Sequence, residues 1–357
     1  MSMKSRLESF LRETAEKTTV NNQYPVLTSS KTGLYLQSNY FNKQVASQDN
    51  KGYKIIRRGQ FTYRAMSDTG EFFPNMLECT DVGIVSPAYP VFEISRPEVI
   101  LSEYLKYYFK SSSFQQSIAS FAQGSTRTSV KFAKMKTVSL DLPSIEQQKT
   151  VVKVLDKTKR IIDDREALLK GLDNLIKARF VEMFGMDVSD GVPLRECCID
   201  VRGGGTPSMK HPEYYGGDVP FIKSGDVKDN LVFSGALWLT EKALSETTAK
   251  YIPEGSVIVV NRSAALLKEF RAAITGQPVV INQDIKAFIP KTTYTSQYLL
   301  WAIKIQTQYL LTKVTTVLTS HIDLKDLLEL RIVPAPVEKQ KAFSAFVKQI
   351  DKSKVVA

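Results

Sequence analysis

The chain has 357 residues, of which 43% are hydrophobic and 24% charged, and a formal net charge of +11. This composition excludes a disordered chain, the length allows two ordinary domains, and no apolar run is long enough for a transmembrane helix. The surplus of Lys and Arg points to a polyanionic partner, in the simplest case nucleic acid.

The opening MSMKSRLESF lacks the apolar core of a signal peptide. Three cysteines, Cys79, Cys197 and Cys198, make neither a disulfide framework nor a metal-ligand spacing, so a reducing cytoplasm is the expected compartment. Leu7, Phe10 and Leu11 predict a short amphipathic helix within residues 1–20. Alternating segments with turn signals then predict strands over 33–37, 53–56, 60–64 and 81–86. A helix follows Pro97-Glu98 and carries Leu101, Leu105, Tyr108 and Phe109 on one side. The polar loop 123–129 leads to a short helix, a strand over 137–142, and Pro143. Residues 1–142 therefore read as one α+β domain.

From 143 to 185 the pattern changes. Apolar doublets recur every seven residues: Val154-Leu155, Ile161-Ile162, Leu168-Leu169 and Leu175-Ile176. Seven residues are two helical turns, so all four doublets share a face, and the intervening positions are charged. Ser144 and Gln147 form a capping-box pair just after Pro143. A core helix of a bundle would also show such spacing. The strand-like flanks favour a spacer helix of coiled-coil type instead.

Residues 186–335 repeat the order of the first domain. The Gly203-Gly204-Gly205-Thr206-Pro207-Ser208 stretch precedes strands near 219–222, 256–260 and 285–289. Ser296-Gln297-Tyr298-Leu299 matches Ser102-Glu103-Tyr104-Leu105, and Glu338-Lys339-Gln340-Lys341 matches Glu146-Gln147-Gln148-Lys149. With three extra residues in the second copy, Phe346–Lys354 then lines up with Val151–Lys159. The expected architecture is α+β, with two similar domains, long helices of coiled-coil type joining them, and a pseudo-two-fold repeat. The second spacer helix, 336–357, is the shorter. If it folds back antiparallel, Phe346, Val347 and Ile350 would cover the doublets at 168–169 and 175–176. Those at 154–155 and 161–162 would then be left for another chain, either a second copy or a partner, with cover by the first domain or by residues 1–20 as the alternative.

Enzyme motifs are absent: there is no phosphate-cradling G-x-x-x-x-G-K-[ST], no G-x-G-x-x-G and no G-x-S-x-G. The two histidines, His211 and His321, sit in unrelated contexts, which speaks against a metal site or triad built on paired histidines. Asp284-Ile285-Lys286 resembles half of a nuclease site without the second acid. The 203–210 stretch offers backbone N–H groups, hydroxyls and Lys210 to a phosphate, and equally reads as a flexible turn before a strand. Candidate DNA-contact residues are Arg57, Arg58, Arg64, Ser125, Thr126 and Arg127 in the first domain. In the second they are Arg202, Thr206, Ser208, Lys210, Lys223, Asn261, Arg262, Thr319, Ser320 and His321. Arg, Asn and hydroxyl side chains are the groups that meet phosphates and base edges, and the loops 125–129 and 317–321 fall at equivalent places of the repeat.

The duplicated passages that run from a strand through a proline to E-x-Q (Leu142–Gln148 and Pro336–Gln340), the helices after them and the Gly-Gly-Thr-Pro-Ser stretch resemble the specificity subunit of type I restriction–modification systems. The resemblance covers essentially the whole chain. It implies a subunit without an active site, whose two target-recognition domains each read half of a split double-stranded DNA site. It also implies modification and restriction subunits as partners, with S-adenosylmethionine, ATP and magnesium bound by those partners and no cofactor or metal held by this chain. A stand-alone DNA-binding regulator and an unrecognised DNA-processing enzyme are the rival readings. The first would bind its site unaided, and the second would cut or methylate DNA by itself.

Overall fold

The computed structural model describes residues 3–40, 49–121, 128–267, 269–316 and 319–356. The chain forms two compact units, Met1–Asp163 and Asp164–Ala357. The fold is α+β, and each unit builds the same small sheet. In the first unit the strand order is Leu11–Thr14, Val91–Ile94, Phe61–Thr62, Asn75–Met76, all antiparallel. In the second it is Cys198–Gly203, Ile285–Pro290, Val257–Val260, Ala272–Thr275, with Leu231–Val232 added in parallel at the edge. A short antiparallel pair closes each domain where the chain enters and leaves it. Met3–Arg6 lies on Ser139–Leu142, and Val192–Pro193 on Arg331–Ile332. The backbone bonds Leu7 N to Val138 O (3.0 Å) and Leu194 N to Leu330 O (2.8 Å) are the two copies of one contact.

That closing pair overturns the expected helix within residues 1–20. The spacing of Leu7, Phe10 and Leu11 is helical, but these side chains are buried at the joint of two strands, Met3–Arg6 and Leu11–Thr14. Ladder partners more than seventy residues away override the local period, as tertiary context does for short segments. Among the expected strands, Leu34–Leu36, Lys54–Arg57, Phe61–Thr62 and Val82–Val85 form within a residue or two of their sequence signals. The first core is aromatic, with Phe61 and Phe92 stacked at 5.6 Å and Phe109 edge-on to both.

The spacer helix runs Ile145–Phe184, starting in the first unit and ending in the second. Its start is the reciprocal capping box read from the sequence: Ser144 N donates to Gln147 Oε1 at 3.0 Å and Gln147 N to Ser144 Oγ at 3.3 Å. Within the second unit, its last turns pack on the helix Val337–Val356. Phe343 meets Phe180 at 5.2 Å and Phe184 at 5.8 Å, while Lys354 reaches Asp173 at 2.8 Å. Numbers rise along one helix as they fall along the other, so the pair is antiparallel. Phe346, Val347 and Ile350 lie at this contact, with Val347 fully buried. They cover only one member of each doublet, however. Ile176 is buried and Leu169 half-buried, whereas Leu168 and Leu175 stay exposed. Two consecutive residues are 100° apart around a helix, and a single partner helix covers a narrower arc. Nearer the helix start, Val154 (58% exposed), Ile161 (57%) and Ile162 (52%) are open, and Leu155 is half-buried. Among the described residues no helix is long and apolar enough to cross a membrane.

Candidate nucleic-acid interface

In the first domain, the strand Phe61–Thr62 runs out through Tyr63, which is buried and donates its hydroxyl to Val130 O at 2.9 Å. Burial in this apolar core pushes the Tyr63 pKa far up, so Tyr63 is a neutral anchor. The anchor leaves the next residue, Arg64, at the end of the sheet, half-exposed and 3.6 Å from Asp68. Met66–Ser67 then pairs with Thr128–Ser129, the strand that leaves the polar loop. Beside this pair lies a cleft of about 270 Å³ lined by Ser29, Ser30, Lys31, Arg64, Ser67 and Thr69, with Glu71 and Phe73 at its wall. Lys31 bonds both Glu71 oxygens at 3.0 Å and lies over the Phe73 ring at 5.3 Å. The cleft thus presents cations, hydroxyls and an aromatic face, the groups used on phosphates and bases.

Arg57 and Arg58 are not part of this cluster. They sit on the turn that precedes Phe61, at the opposite end of the strand from Arg64, where Gly59 takes φ +86°. Arg57 pairs with Glu16 (2.8 Å), and Arg58 with Asp81 (2.7 Å) and the Glu78 carbonyl. Ser125, Thr126 and Arg127 lie outside the described residues.

The second domain gathers its polar groups at the equivalent end of its sheet. There the strand Cys198–Gly203 ends, Ile285–Pro290 begins and Val257–Val260 ends. A Cβ on Gly204 would come within 2.2 Å of the carbonyl oxygens of Ile281 and Asn282, so only glycine lets this loop lie against the 281–284 turn. That contact brings Thr206 to Gln283, to which its hydroxyl donates. Asp284 is the hub. Its carboxylate accepts from Arg262 Nε at 2.6 Å and from Asn282 Nδ2 at 3.0 Å, and its carbonyl accepts from the backbone of Asn261 at 3.0 Å. Lys286 donates to Gln283 O at 3.2 Å. Its pKa is lowered, first by burial and then by the nearby Arg262 cation. Arg262 forms a β-bridge with His321, Ser263 N bonds Ser320 O at 3.0 Å, and the His321 ring lies 3.4 Å from Asp323.

Five sequence candidates therefore meet at one end of the second sheet: Thr206, Asn261, Arg262, Ser320 and His321. Ser320 is buried, so its role there is the backbone bridge, and Thr319 contributes its carbonyl, 3.1 Å from the His321 ring. Arg202 is held on the sheet by Asp200 (2.7 Å) and the Tyr251 carbonyl (3.1 Å). Ser208 accepts from Lys210 N in a turn, which leaves Lys210 exposed, and Lys223 stands in a second turn closed by Asp226. Sequence reading missed Lys31, Gln283 and Lys286, which the fold places among these polar groups. The Asp284-Ile285-Lys286 triplet was the visible signal, read as half a nuclease site. Asp284 is instead taken by Arg262, and no described cluster of His, Cys, Asp or Glu could hold a metal ion.

The two ends are copies of one construction. Val130 N bonds Ala65 O at 3.0 Å, and Ile322 N bonds Asn261 O at 2.8 Å. In the same frame Ser129 pairs with Met66 and His321 with Arg262. The frame is shared while the cations differ. Arg262 takes the place of Met66, and Arg64 that of Val260.

Comparison with known proteins gives a consistent result. The family model for the type I restriction modification DNA specificity domain matches residues 9–175 and again 194–355. The type I restriction enzyme MjaIX specificity subunit of Methanocaldococcus jannaschii is 32% identical over 148 residues, 40% of this chain and 33% of that protein. The EcoR124I/EcoR124II specificity subunit of Escherichia coli is 31% identical over 152 residues, 42% of this chain and 38% of that protein. The matched stretch thus spans little more than a third of these curated relatives. A solved type I restriction–modification S subunit from M. genitalium shares the fold, with a TM-score of 0.55 at 11% identity over 99% of this chain and 90% of that one. With a specificity domain matched in each half, this chain belongs to the type I restriction–modification DNA specificity family, whose specificity subunit is the non-catalytic member of its enzyme complex.

Proposed function

We propose that this chain reads a two-part DNA site, one half with each domain, and serves as the scaffold for modification and restriction subunits that act on it. The observation that carries the reading is the repeated sheet end. Two domains that share a backbone frame offer different polar side chains from it, as they would for two different half-sites of one target. The net charge of +11 supports a polyanionic ligand, since each cation near the duplex adds affinity by releasing counterions. In this reading S-adenosylmethionine, ATP and magnesium belong to the partner subunits, and the complex works in the cytoplasm, where its DNA is. The open stripe at Val154, Ile161 and Ile162 is the seat of a modification subunit.

Expressing the chain with its modification subunit and mapping methylated adenines across the host genome tests the proposal. The expected result is one split motif with a constant gap, lost when this chain is omitted. Methylation that is independent of the chain overturns the reading, as does DNA cleavage or methyl transfer by the purified chain alone.

A further inference from the structure

The glutamine of the repeated E-x-Q passage (Glu146-Gln147-Gln148 and Glu338-Lys339-Gln340) is not accounted for by DNA contact. Gln148 and Gln340 each stand in the first turn of a spacer helix, and both are fully buried. Gln148 Oε1 accepts from Leu101 N at 2.9 Å, and its Nε2 donates to Val99 O and Pro143 O, both at 2.9 Å. Gln340 repeats this bond for bond. Its Oε1 accepts from Thr295 N at 2.8 Å, and its Nε2 donates to Thr293 O at 3.0 Å and Ala335 O at 2.8 Å. Each amide joins three parts of its own domain: the segment that follows the closing strand, the start of the helix Ser102–Tyr108 or Ser296–Lys304, and the root of the spacer helix. Leu101, the N-cap of its helix, has no side-chain cap bond of its own.

We infer that Gln148 is a positioning residue for DNA recognition: it fixes the direction in which the spacer helix leaves the first domain, and thereby the gap between half-sites that the chain accepts, while Gln340 repeats the joint at the root of the second helix. The inference rests on the two-part reading above. A neutral amide alone supplies one acceptor and two donors in a plane. Glutamate would turn a carboxylate oxygen toward backbone carbonyls, and methionine would keep the length and lose all three bonds. The lever is long. At ~1.5 Å per residue, a 40-residue helix spans about 60 Å, and a swing of about 5° at its root moves its far end about 5 Å. That exceeds the ~3.4 Å rise of a base pair.

The test uses the full chain with spin labels on exposed Cys79 and on a cysteine at exposed Lys170, since Cys197 and Cys198 are buried. The parent gives one narrow distance distribution. Gln148→Met broadens it about twofold or splits it, while Gln340→Met, in the other unit, leaves it unchanged. If Gln148→Met does not fold, Gln148→Asn, which keeps the amide but withdraws it by one methylene, is measured in its place. A folded position-148 variant with the parental distribution overturns the inference.

The same variants, assembled with the modification subunit, are then assayed on duplexes whose gap is altered by one or two base pairs. Parental methylation falls about tenfold off its own gap, and that of the variant about threefold or less. A merely structural defect would lower every gap alike. A parent that is flat across gaps removes the two-part reading and leaves the distance result standing. A sharp parent with an equally sharp variant removes the role of Gln148.

Discussion

Lys304 ends the helix Ser296–Lys304 with its ammonium donating to the neutral amide oxygen of Asn230. Two of the carboxylates nearby are taken, since Lys354 holds Asp173 at 2.8 Å and Asp351 at 3.0 Å. Burial pushes the Lys304 pKa down to about 8, and the Asp173 charge only partly offsets it. In the unfolded chain this lysine keeps its proton to ~10.5. The cost of burying its charge is therefore fully present below pH 8 and is relieved as the pH rises from 8 toward 10.5, where only the unfolded state holds the proton. Lys304→Met should accordingly be more stable than the parent at pH 7, by about 1–3 kcal/mol, with the advantage shrinking by pH 10. Both tryptophans, Trp238 and Trp301, lie in the second unit, so urea unfolding followed by their fluorescence reads that unit. A difference between variant and parent that is flat from pH 7 to 10 would refute the assignment. What the sequence disclosed at this scale was chemistry near turns. Arg262 and His321 stand out as polar groups at strand ends, and they do meet. Arg57 and Arg58 stand out equally, yet Glu16 and Asp81, 41 and 23 residues away in the chain, pair with them. Pairing between such distant positions has no local signature.

Among the elements, the spacer helix was the most legible, because four apolar doublets at an interval of seven and a capping box act within the element itself. The strand-joint at Leu7–Leu11 was the least legible, since its partners come from 77 to 83 and from 133 to 139 residues further on. The open stripe belongs to this scale too. Exposed Ile162 contributes little to the stability of the isolated chain, whereas Ile176, fully buried against the second spacer helix, contributes a full core side chain. Ile176→Ala should cost about 2–4 kcal/mol in urea unfolding. Ile161→Lys with Ile162→Lys should cost less than about 1 kcal/mol in the isolated chain and yet abolish co-elution with the modification subunit. Light scattering of the parent alone tells whether a second copy takes the same stripe, in which case the parent is dimeric and the double variant monomeric. A double variant that still assembles normally with the modification subunit would show that the stripe needs no partner.

For the whole molecule, duplication has a consequence that neither domain has alone. The two sheet ends share a frame, but their leading cations occupy different positions in it, Arg64 beside Asp68 in one unit and Arg262 against Asp284 in the other. Residues in separate units with separate partners should act independently. Arg64→Ala should then relax recognition of one half-site, and Arg262→Ala that of the other, each by about 1–3 kcal/mol for a base-edge contact. The double variant should show the sum to within about 0.5 kcal/mol. Methylation rates of the assembled complex on duplexes with each half-site varied in turn would give both numbers. If either arginine touches only phosphate, its loss will weaken every duplex equally and flatten the salt dependence by about one counterion. Both variants relaxing the same half-site, or a double variant far from the sum, would mean that the two domains do not divide the site between them.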